Sequence, residues 1–348
     1  MATALHFIEQ SLSMLENLRQ TNPPTLRTIR AAGSNFGLHF WGEALFNAMW
    51  PGLAHLEIDP GLASTVIQLQ IWDSATTGVK PITPPFSLED YQRNHRWAMI
   101  DDGRVLIMHI PWSHIVYAYD RGTCQGLFWS PDPGSLTIYE RAAPLQTLFH
   151  WALNERGWHI LHAAAIGVEQ GGALLVGNTG AGKSSTALAC LQHPGLRYLS
   201  DDKCLATLTP GPQAFGIFSA AKLKGDMLDA LPQFQHLVGG YDELTKGGKS
   251  LVYLYPEYRE RMVTSFPIRF FLIANITRRS QAALRPASSS DVLKVLGPST
   301  LHWLPGAEES SMRFMAALSR QLPAYWLDLA LDAEQNIAAV ATALDGER

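Results

Sequence analysis

One stretch decides the fold of this chain: Ala173-Leu174-Leu175-Val176-Gly177-Asn178-Thr179-Gly180-Ala181-Gly182-Lys183-Ser184, an apolar run that leads into a glycine-rich loop. The loop fits the pattern G-x-x-x-x-G-K-[ST] at every fixed position. Glycines let backbone N–H groups approach phosphate oxygens, and the helix that follows directs its positive end at the same anion. The lysine adds charge for the β- and γ-phosphates, and the serine hydroxyl reaches a metal ion. The stretch therefore predicts an α/β fold with a loop that binds ATP and Mg²⁺.

The nucleotide is expected to contact consecutive residues of this loop and of the helix after it. These residues are Gly177, Asn178, Thr179, Gly180, Ala181, Gly182, Lys183, Ser184 and Ser185. The alternative is a glycine turn that matches the pattern by chance. The apolar strand before the loop and the good helix after it, Lys183–Gln192, favour the phosphate-binding interpretation.

Composition excludes several classes of protein. The chain has 348 residues, 17% of them charged, with a net charge of −4, so its overall field favours neither nucleic acid nor an anionic membrane. Three cysteines without a CxxC spacing form neither a disulfide framework nor a zinc site, which indicates a reducing, cytoplasmic environment. The apolar runs are much shorter than the ~20 residues of a membrane-spanning helix. We therefore expect no nucleic-acid or membrane partner.

The pattern of elements changes near Pro144. Before it, runs of β-forming residues flank turns such as Asp102-Gly103 and Arg121-Gly122, which predict hairpins. After it, strands alternate with helices, which is typical of an α/β domain. The sequence predicts a β-rich α+β domain over residues 1–143 and a catalytic α/β domain over residues 144–348.

Two adjacent acids, Asp201 and Asp202, follow the short strand Arg197–Ser200 that comes after the loop helix. Ligands of open α/β sheets bind outside the carboxyl ends of strands, so these carboxylates are expected beside the phosphates. One could hold Mg²⁺ together with Ser184 while the other takes a proton from an attacking hydroxyl. The later apolar strand ends at Asn275 and Thr277 without a carboxylate. The alternative is an Asp-Asp turn on the surface.

His162 lies on a predicted strand, His159–Val168, that leads into the strand before the loop. Taken alone, it is typical of a histidine whose ring has its hydrogen-bond partners inside a sheet. A metal pair with His159 is disfavoured, because alternation along a strand places these two side chains on opposite faces.

Together, Leu161-His162-Ala163-Ala164, the loop Gly177–Ser184 and Leu199-Ser200-Asp201-Asp202 resemble the HPr kinase/phosphorylases and the shorter HPr-kinase-like serine kinases, in residue type and in spacing. That family is similar in fold to ATP-dependent phosphoenolpyruvate carboxykinase. The resemblance covers roughly residues 144–345 and implies that His162, Asp201, Asp202 and Lys183 are catalytic. It also implies that basic residues approach the phosphates, and these would be Lys222, Lys224, Lys246 and Lys249.

The resemblance implies an ATP-dependent serine kinase that phosphorylates a small protein or a precursor peptide, as in the tailoring of lasso peptides and other peptide natural products. The first ~140 residues do not resemble the N-terminal domain of full-length HPr kinases, so HPr itself is not the expected acceptor. They could instead recognise the substrate. Two alternatives stay open: a kinase for small-molecule hydroxyls, and a nucleotide-dependent binding or scaffold protein with weak ATPase activity. Assembly into a homo-oligomer is implied by the resemblance only.

Overall fold

A computed structural model of the chain describes residues 3–62, 66–93, 96–243 and 248–346. The chain divides into two compact units, Met1–Glu155 and Arg156–Arg348. The division falls later along the chain than the boundary predicted at residues 143/144. The reason is that the helix Gln146–Asn154 packs against a strand of the first unit, Ile115–Asp120. No helix within the described ranges is long and apolar enough to cross a membrane.

The first unit contains a seven-stranded sheet in the order β1-β2-β3-β7-β6-β5-β4. Its strands are β1 (Thr25–Ala31), β2 (Ser34–Trp41), β3 (Val66–Asp73), β4 (Ala98–Asp101), β5 (Val105–Ile110), β6 (Ile115–Asp120) and β7 (Gln125–Ser130). Its α-helices are α1 (Ala4–Arg19), α2 (Glu43–Met49), α3 (Ser74–Thr77), α4 (Leu88–Arg93), α5 (Ile138–Ala142) and α6 (Gln146–Asn154).

The two predicted hairpins are present in this sheet as β4–β5 and β6–β7. The turn at Gly103 has a φ of +89°, which glycine adopts without the strain a Cβ would add. Helix α1 places Phe7, Ile8 and Leu15 in the core that it shares with the sheet. The hairpin β1–β2 was not predicted, because its turn at Ala32-Gly33 interrupts two runs that mix polar and apolar residues.

The second unit contains a nine-stranded sheet and a three-stranded sheet. Its strands are β8 (His159–Leu161), β9 (Ala164–Val168), β10 (Gly171–Val176), β11 (Arg197–Ser200), β12 (Cys204–Thr207), β13 (Gln213–Gly216), β14 (Ala220–Lys224), β15 (Val238–Asp242), β16 (Lys249–Tyr253), β17 (Ser265–Arg279), β18 (Ala283–Ala287) and β19 (Ala324–Ala330). Its α-helices are α7 (Lys183–Cys190), α8 (Gly225–Ala230), α9 (Ser289–Leu301), α10 (Glu308–Gln321) and α11 (Ala333–Gly346).

The long strand β17 organises the larger sheet. It runs parallel to β10 and β19 and pairs at its start with the antiparallel strand β13. Apolar side chains cover both faces of β17: Phe270 and Leu272 belong to one core with α7 and α11, and Phe271 and Ile273 to another with α9 and α10. Strands buried on both faces read as continuous apolar runs, as the predicted strands of this unit do. The predicted mixed α/β class is confirmed.

The segment 159–168 forms two strands where the sequence predicted one. Strand β8 pairs with β12, whereas β9 pairs with β10 and β11, so the chain changes neighbours between them. His162 and Ala163 make this change. His162 therefore lies at a corner of the sheet, directly before β9, instead of inside a strand.

Candidate functional site

Strand pairing brings the predicted site segments to one edge of the sheet. Strand β9 is antiparallel to both β10 and β11, so β10 and β11 point in the same direction. Leu175 near the end of β10 lies opposite Ala164 at the start of β9, and Ser200 at the end of β11 lies opposite Ala165. The glycine loop, His162 and the two acids consequently leave the sheet at the same edge, as expected for a site outside strand ends.

The loop depends on its glycines for conformation and for space. Gly177, Gly180 and Gly182 have φ values of +153°, +82° and +95°. A Cβ on Gly182 would lie 2.6 Å from Leu329 Cδ1, so a side chain there would require Leu329 to shift. Asn178, Thr179 and Gly180 are exposed, so the crest of the loop is open to a ligand.

Helix α7 begins directly after the loop. Its N-cap is Gly182, so no side chain caps the first turn. The Ser185 hydroxyl donates to the Gly182 carbonyl at 3.1 Å and thus faces the loop backbone, while Ser184 beside it is half-buried. The first N–H groups of the helix remain available for an anion.

Lys183 lies across the loop that precedes it. Its buried Nζ donates to the Gly177 carbonyl at 2.8 Å and to the Asn178 carbonyl at 3.3 Å. Burial lowers the pKa of Lys183, while the negative charges of Asp202 and Asp201 oppose that shift. The ammonium is therefore held at the loop by carbonyl dipoles, which a phosphate could replace as partners.

Asp202 makes the densest set of polar contacts at this edge. Its Oδ1 accepts from His162 Nε2 at 2.9 Å, and its Oδ2 accepts from Lys222 Nζ at 3.1 Å, with Lys203 Nζ 3.7 Å away. Burial raises the pKa of Asp202, but the charges of Lys222 and Lys203 and the hydrogen bond from His162 outweigh burial and hold this pKa well below its usual range. The Asp202 side chain keeps 25% of its surface exposed, so an ionised carboxylate faces the open side of the site.

Asp201 is the more deeply buried acid, at 1% exposure. Its Oδ2 accepts from the backbone N–H of Lys222 at 3.0 Å, whereas its Oδ1 has no hydrogen-bond partner in the described part of the chain. Burial and the charge of Asp202 raise the pKa of Asp201, whereas the charge of Lys222 and, to a smaller extent, the nearby Ser184 side chain lower it. One carboxylate oxygen is thus buried without a partner beside a serine hydroxyl.

Asp201 Oδ1 and the Ser184 hydroxyl oxygen fit Mg²⁺, which prefers hard oxygen ligands and usually takes only one or two carboxylates from a protein. Among the described residues, no group of three or more His, Cys, Asp and Glu could hold a metal ion. Mg²⁺ can complete its shell with water and substrate phosphates.

His162 is fixed through its backbone and its ring. Its backbone N–H donates to Thr300 Oγ1 of α9 at 3.1 Å, and its ring Nε2 is hydrogen-bonded to Asp202 Oδ1 at 2.9 Å. Burial lowers the pKa of His162, although the hydrogen bond to Asp202 opposes this shift. His159 stacks on Phe314, with the ring centroids 4.1 Å apart.

The predicted lysines behave differently from one another. Lys222 is buried and contacts Asp202, so the structure brings it into the acid cluster. Lys224 is exposed, and its Nζ would lie 3.9 Å from a Cβ built on Gly180, which places it beside the loop. Lys249 lies near enough for its charge to act on Lys183. Lys246 lies outside the described residues.

Sequence reasoning missed three residues at this end of the sheet. Lys203 follows the two acids directly, so its position in the chain was an available signal. Thr300 lies far from His162 in sequence and carries no signal of its own. Asp328 on β19 lies opposite Asn275, so it places a carboxylate beside the end of β17, which has none of its own. It accepts from Asn275 Nδ2 at 2.7 Å and from Arg285 at 2.6 and 2.9 Å. The Arg285 guanidinium lowers the pKa of Asp328 to about 2, so this acid is already paired.

Comparison with known proteins adds little to this geometry. No protein-family model matches the chain, and no curated protein matches it. Among solved structures, the chain is similar to the HPr(Ser) kinase/phosphatase from Coxiella burnetii, at 12% sequence identity and a TM-score of 0.29, over 55% of this chain and 99% of that chain. A likeness this distant carries no argument, so any functional conclusion depends on the site itself.

Proposed function

We propose that this protein is an ATP-dependent kinase that transfers the γ-phosphoryl group to a hydroxyl. One observation carries the proposal. The glycine loop with Lys183, the acids Asp201 and Asp202, and the basic residue Lys222 converge at one edge of the second unit's sheet. Phosphoryl transfer needs such a combination, because its catalysis is mostly positioning and charge stabilisation.

The loop amides and Lys183 would bind the phosphates of ATP. Ser184 Oγ and Asp201 Oδ1 would hold Mg²⁺, since Asp201 Oδ1 is buried and has no hydrogen-bond partner among the described residues. That ion, when bound, offsets the negative charge of the β- and γ-phosphates. Lys183 then exchanges its carbonyl partners for phosphate oxygens, which are stronger acceptors.

Asp202 would act on the acceptor. Its carboxylate is ionised, partly exposed and oriented by His162 and Lys222. Because its pKa is low, it is a weak base, so it orients the hydroxyl and takes the proton late, as the acceptor oxygen bonds to the γ-phosphorus. The bond from that phosphorus to the β,γ-bridging oxygen breaks in the same step, which releases ADP. Lys222 lies beside this carboxylate and can stabilise charge on the transferred group.

The acceptor we propose is a serine of a small protein or precursor peptide. The support is the resemblance of the three motifs to HPr-kinase-like serine kinases.

Labelled ATP tests the activity. The full chain is incubated with [γ-³²P]ATP, Mg²⁺ and a library of serine-containing peptides, and nucleotide binding is measured in parallel by calorimetry. We expect transfer by the unchanged protein and by Asp229→Asn, an exposed carboxylate of α8 that serves as the matched control. Asp202→Asn should bind ATP within about three-fold and transfer at least 10²-fold more slowly.

Three results would decide against the proposal. Transfer to small hydroxyl compounds but to no peptide would show that the acceptor is a small molecule and not a peptide serine. ATP binding with no transfer to any acceptor would favour a nucleotide-dependent binding protein. Equal rates for Asp202→Asn and Asp229→Asn would remove the role given to Asp202.

A further inference from the structure

The first unit contains a cavity of about 680 Å³ that the proposed kinase chemistry does not use. It lies between α3, the proline-rich segment after α3, α4 and the strands β5, β6 and β7, and all its lining residues belong to this unit. Pockets for small ligands or for single side chains of a partner have volumes of roughly 300–1,000 Å³. The cavity is therefore of a size that serves binding.

Five of the twelve described residues that line the cavity carry aromatic rings. Phe86, Tyr91 and His109 form one cluster, with ring centroids 5.7 to 6.3 Å apart. Trp129 also lines the cavity and is held by a hydrogen bond from its Nε1 to Ser74 Oγ at 2.8 Å. Fixed rings prefer another planar ring as their partner, stacked or edge-to-face.

The polar groups of the lining favour an anion. Lys80 is the sole Lys, Arg, Asp or Glu among the described residues that line the cavity, and it is exposed. His109 Nδ1 is hydrogen-bonded to Tyr91 Oη at 2.8 Å, while its other ring nitrogen has no hydrogen bond within the described ranges. An aromatic cage can also attract a cation, but such a cation would meet the like charge of Lys80, and no described residue of the lining carries a carboxylate.

The turn between β5 and β6 also indicates a binding role. His109, near the end of β5, and His114, the last residue of the turn, both line the cavity, and their ring centroids lie 6.0 Å apart in a stacked arrangement. His114 has a φ of +54°, a left-handed conformation that is uncommon for a residue with a Cβ. Trp112 within the same turn is 60% exposed. Backbone strain and an exposed tryptophan occur together here, and strain is commonly retained at ligand sites.

We propose that this cavity binds a planar aromatic ring that carries a carboxylate or another anionic group beside it. Phe86, Tyr91, His109 and Trp129 would hold the ring, and Lys80 would pair with the anion. Two sources share this chemistry: a free aromatic carboxylic acid, and an aromatic residue beside an acidic residue in a peptide. The proposal stands on the first unit alone and does not depend on the kinase activity.

Calorimetry with the full chain tests the chemistry. The probes are N-acetyl-L-tryptophan as the anionic aromatic, its neutral amide, the cationic tryptamine, and N-acetyl-L-leucine as the anionic non-aromatic. We expect the first probe to bind at least five-fold more tightly than each of the others. Equal binding of all four, preference for tryptamine, or no binding at all would overturn the proposal.

A blocked peptide that contains Asp-Trp distinguishes the two sources. Tighter binding of this peptide than of N-acetyl-L-tryptophan would identify a peptide as the ligand, and weaker binding would identify a free acid. Binding of either probe supports the proposed chemistry.

Variants locate the binding to the cavity. Ala75→Trp places a ring into the cavity from an exposed position of α3 and should abolish binding of N-acetyl-L-tryptophan. Its matched control is Ala230→Trp, at an exposed position of α8 in the other unit. Lys80→Met should weaken binding at least five-fold, whereas Lys294→Met, which removes another exposed lysine, should not. Unchanged binding in both Ala75→Trp and Lys80→Met would show that the ligand sits elsewhere.

Discussion

The contact between Lys222 and Asp202 offers the sharpest test of the site, through the substitution Lys222→Met. Lys222 Nζ lies 3.1 Å from Asp202 Oδ2, and the two side chains are only 8% and 25% exposed. Methionine keeps an unbranched apolar stem of similar length and removes the charge. The backbone N–H of Lys222 still donates to Asp201, so the contact of Asp201 with this strand is preserved.

The expected loss of stability follows from the geometry. At 3.1 Å and an effective dielectric constant of about 20, the Coulomb attraction is on the order of 5 kcal/mol. The loss of this attraction is partly offset, because the substitution also removes the free-energy cost of desolvating the buried ammonium. Asp202 also keeps His162 at 2.9 Å and Lys203 at 3.7 Å. We therefore expect the free energy of unfolding to fall by about 2 to 3 kcal/mol.

Three measurements check this variant. Denaturant unfolding gives the stability change, calorimetry gives ATP affinity, and labelled ATP gives the rate of transfer. ATP affinity should change by less than about five-fold, because Lys183 and the loop amides are untouched. The rate should fall by about 10²- to 10³-fold, as it does when one charge-stabilising group is removed from an active site. Lys222→Arg should recover part of the rate.

Lys294→Met is the control for this experiment. Lys294 pairs with Asp291 at 3.8 Å and is 73% exposed, so its removal should change stability by less than about 0.5 kcal/mol and leave transfer unchanged. Equal stability losses in the two lysine variants would refute the energetic reasoning. A full transfer rate in Lys222→Met would refute the catalytic role of Lys222.

Two further predictions concern stability. Gly182→Ala should lower the free energy of unfolding by about 1 to 3 kcal/mol and weaken ATP binding, since its Cβ would lie 2.6 Å from Leu329 Cδ1 at a φ of +95°. The control Gly211→Ala has open space around the new Cβ and should be nearly neutral. Equal losses of stability in the two variants would contradict the argument. Burial lowers the pKa of His159 from 6.5 to about 4, so between these values the unfolded chain binds more protons and stability falls as the pH falls. His159 should therefore make the free energy of unfolding of the unchanged protein about 2 kcal/mol lower at pH 5 than at pH 7. His159→Phe should remove this contribution to the pH dependence. An unchanged pH dependence in His159→Phe would exclude the residue as its source.

Much of the second unit could be predicted from the sequence. The runs before Gly177 and around Phe270 are apolar because both faces of β10 and β17 are buried, and such runs are visible in the chain. Short strands of this unit, such as β14 and β15, were missed. Residues such as Ala220-Ala221-Lys222 have no strong β preference, and only pairing with β16 makes them a strand.

The sequence by itself predicts the chemistry of the loop from Gly177 to Ser184, because the glycines, the lysine and the helix start are neighbours in the chain and interact locally. Tertiary structure decided which side chains meet that loop. The contact of Asp202 with Lys222 joins two different sheets, and the contact of His162 with Thr300 joins a strand end to a distant helix. Contacts of this kind depend on how sheets and helices pack, and residue spacing does not encode them. The aromatic cavity of the first unit is likewise a product of packing, since its rings come from segments separated along the chain.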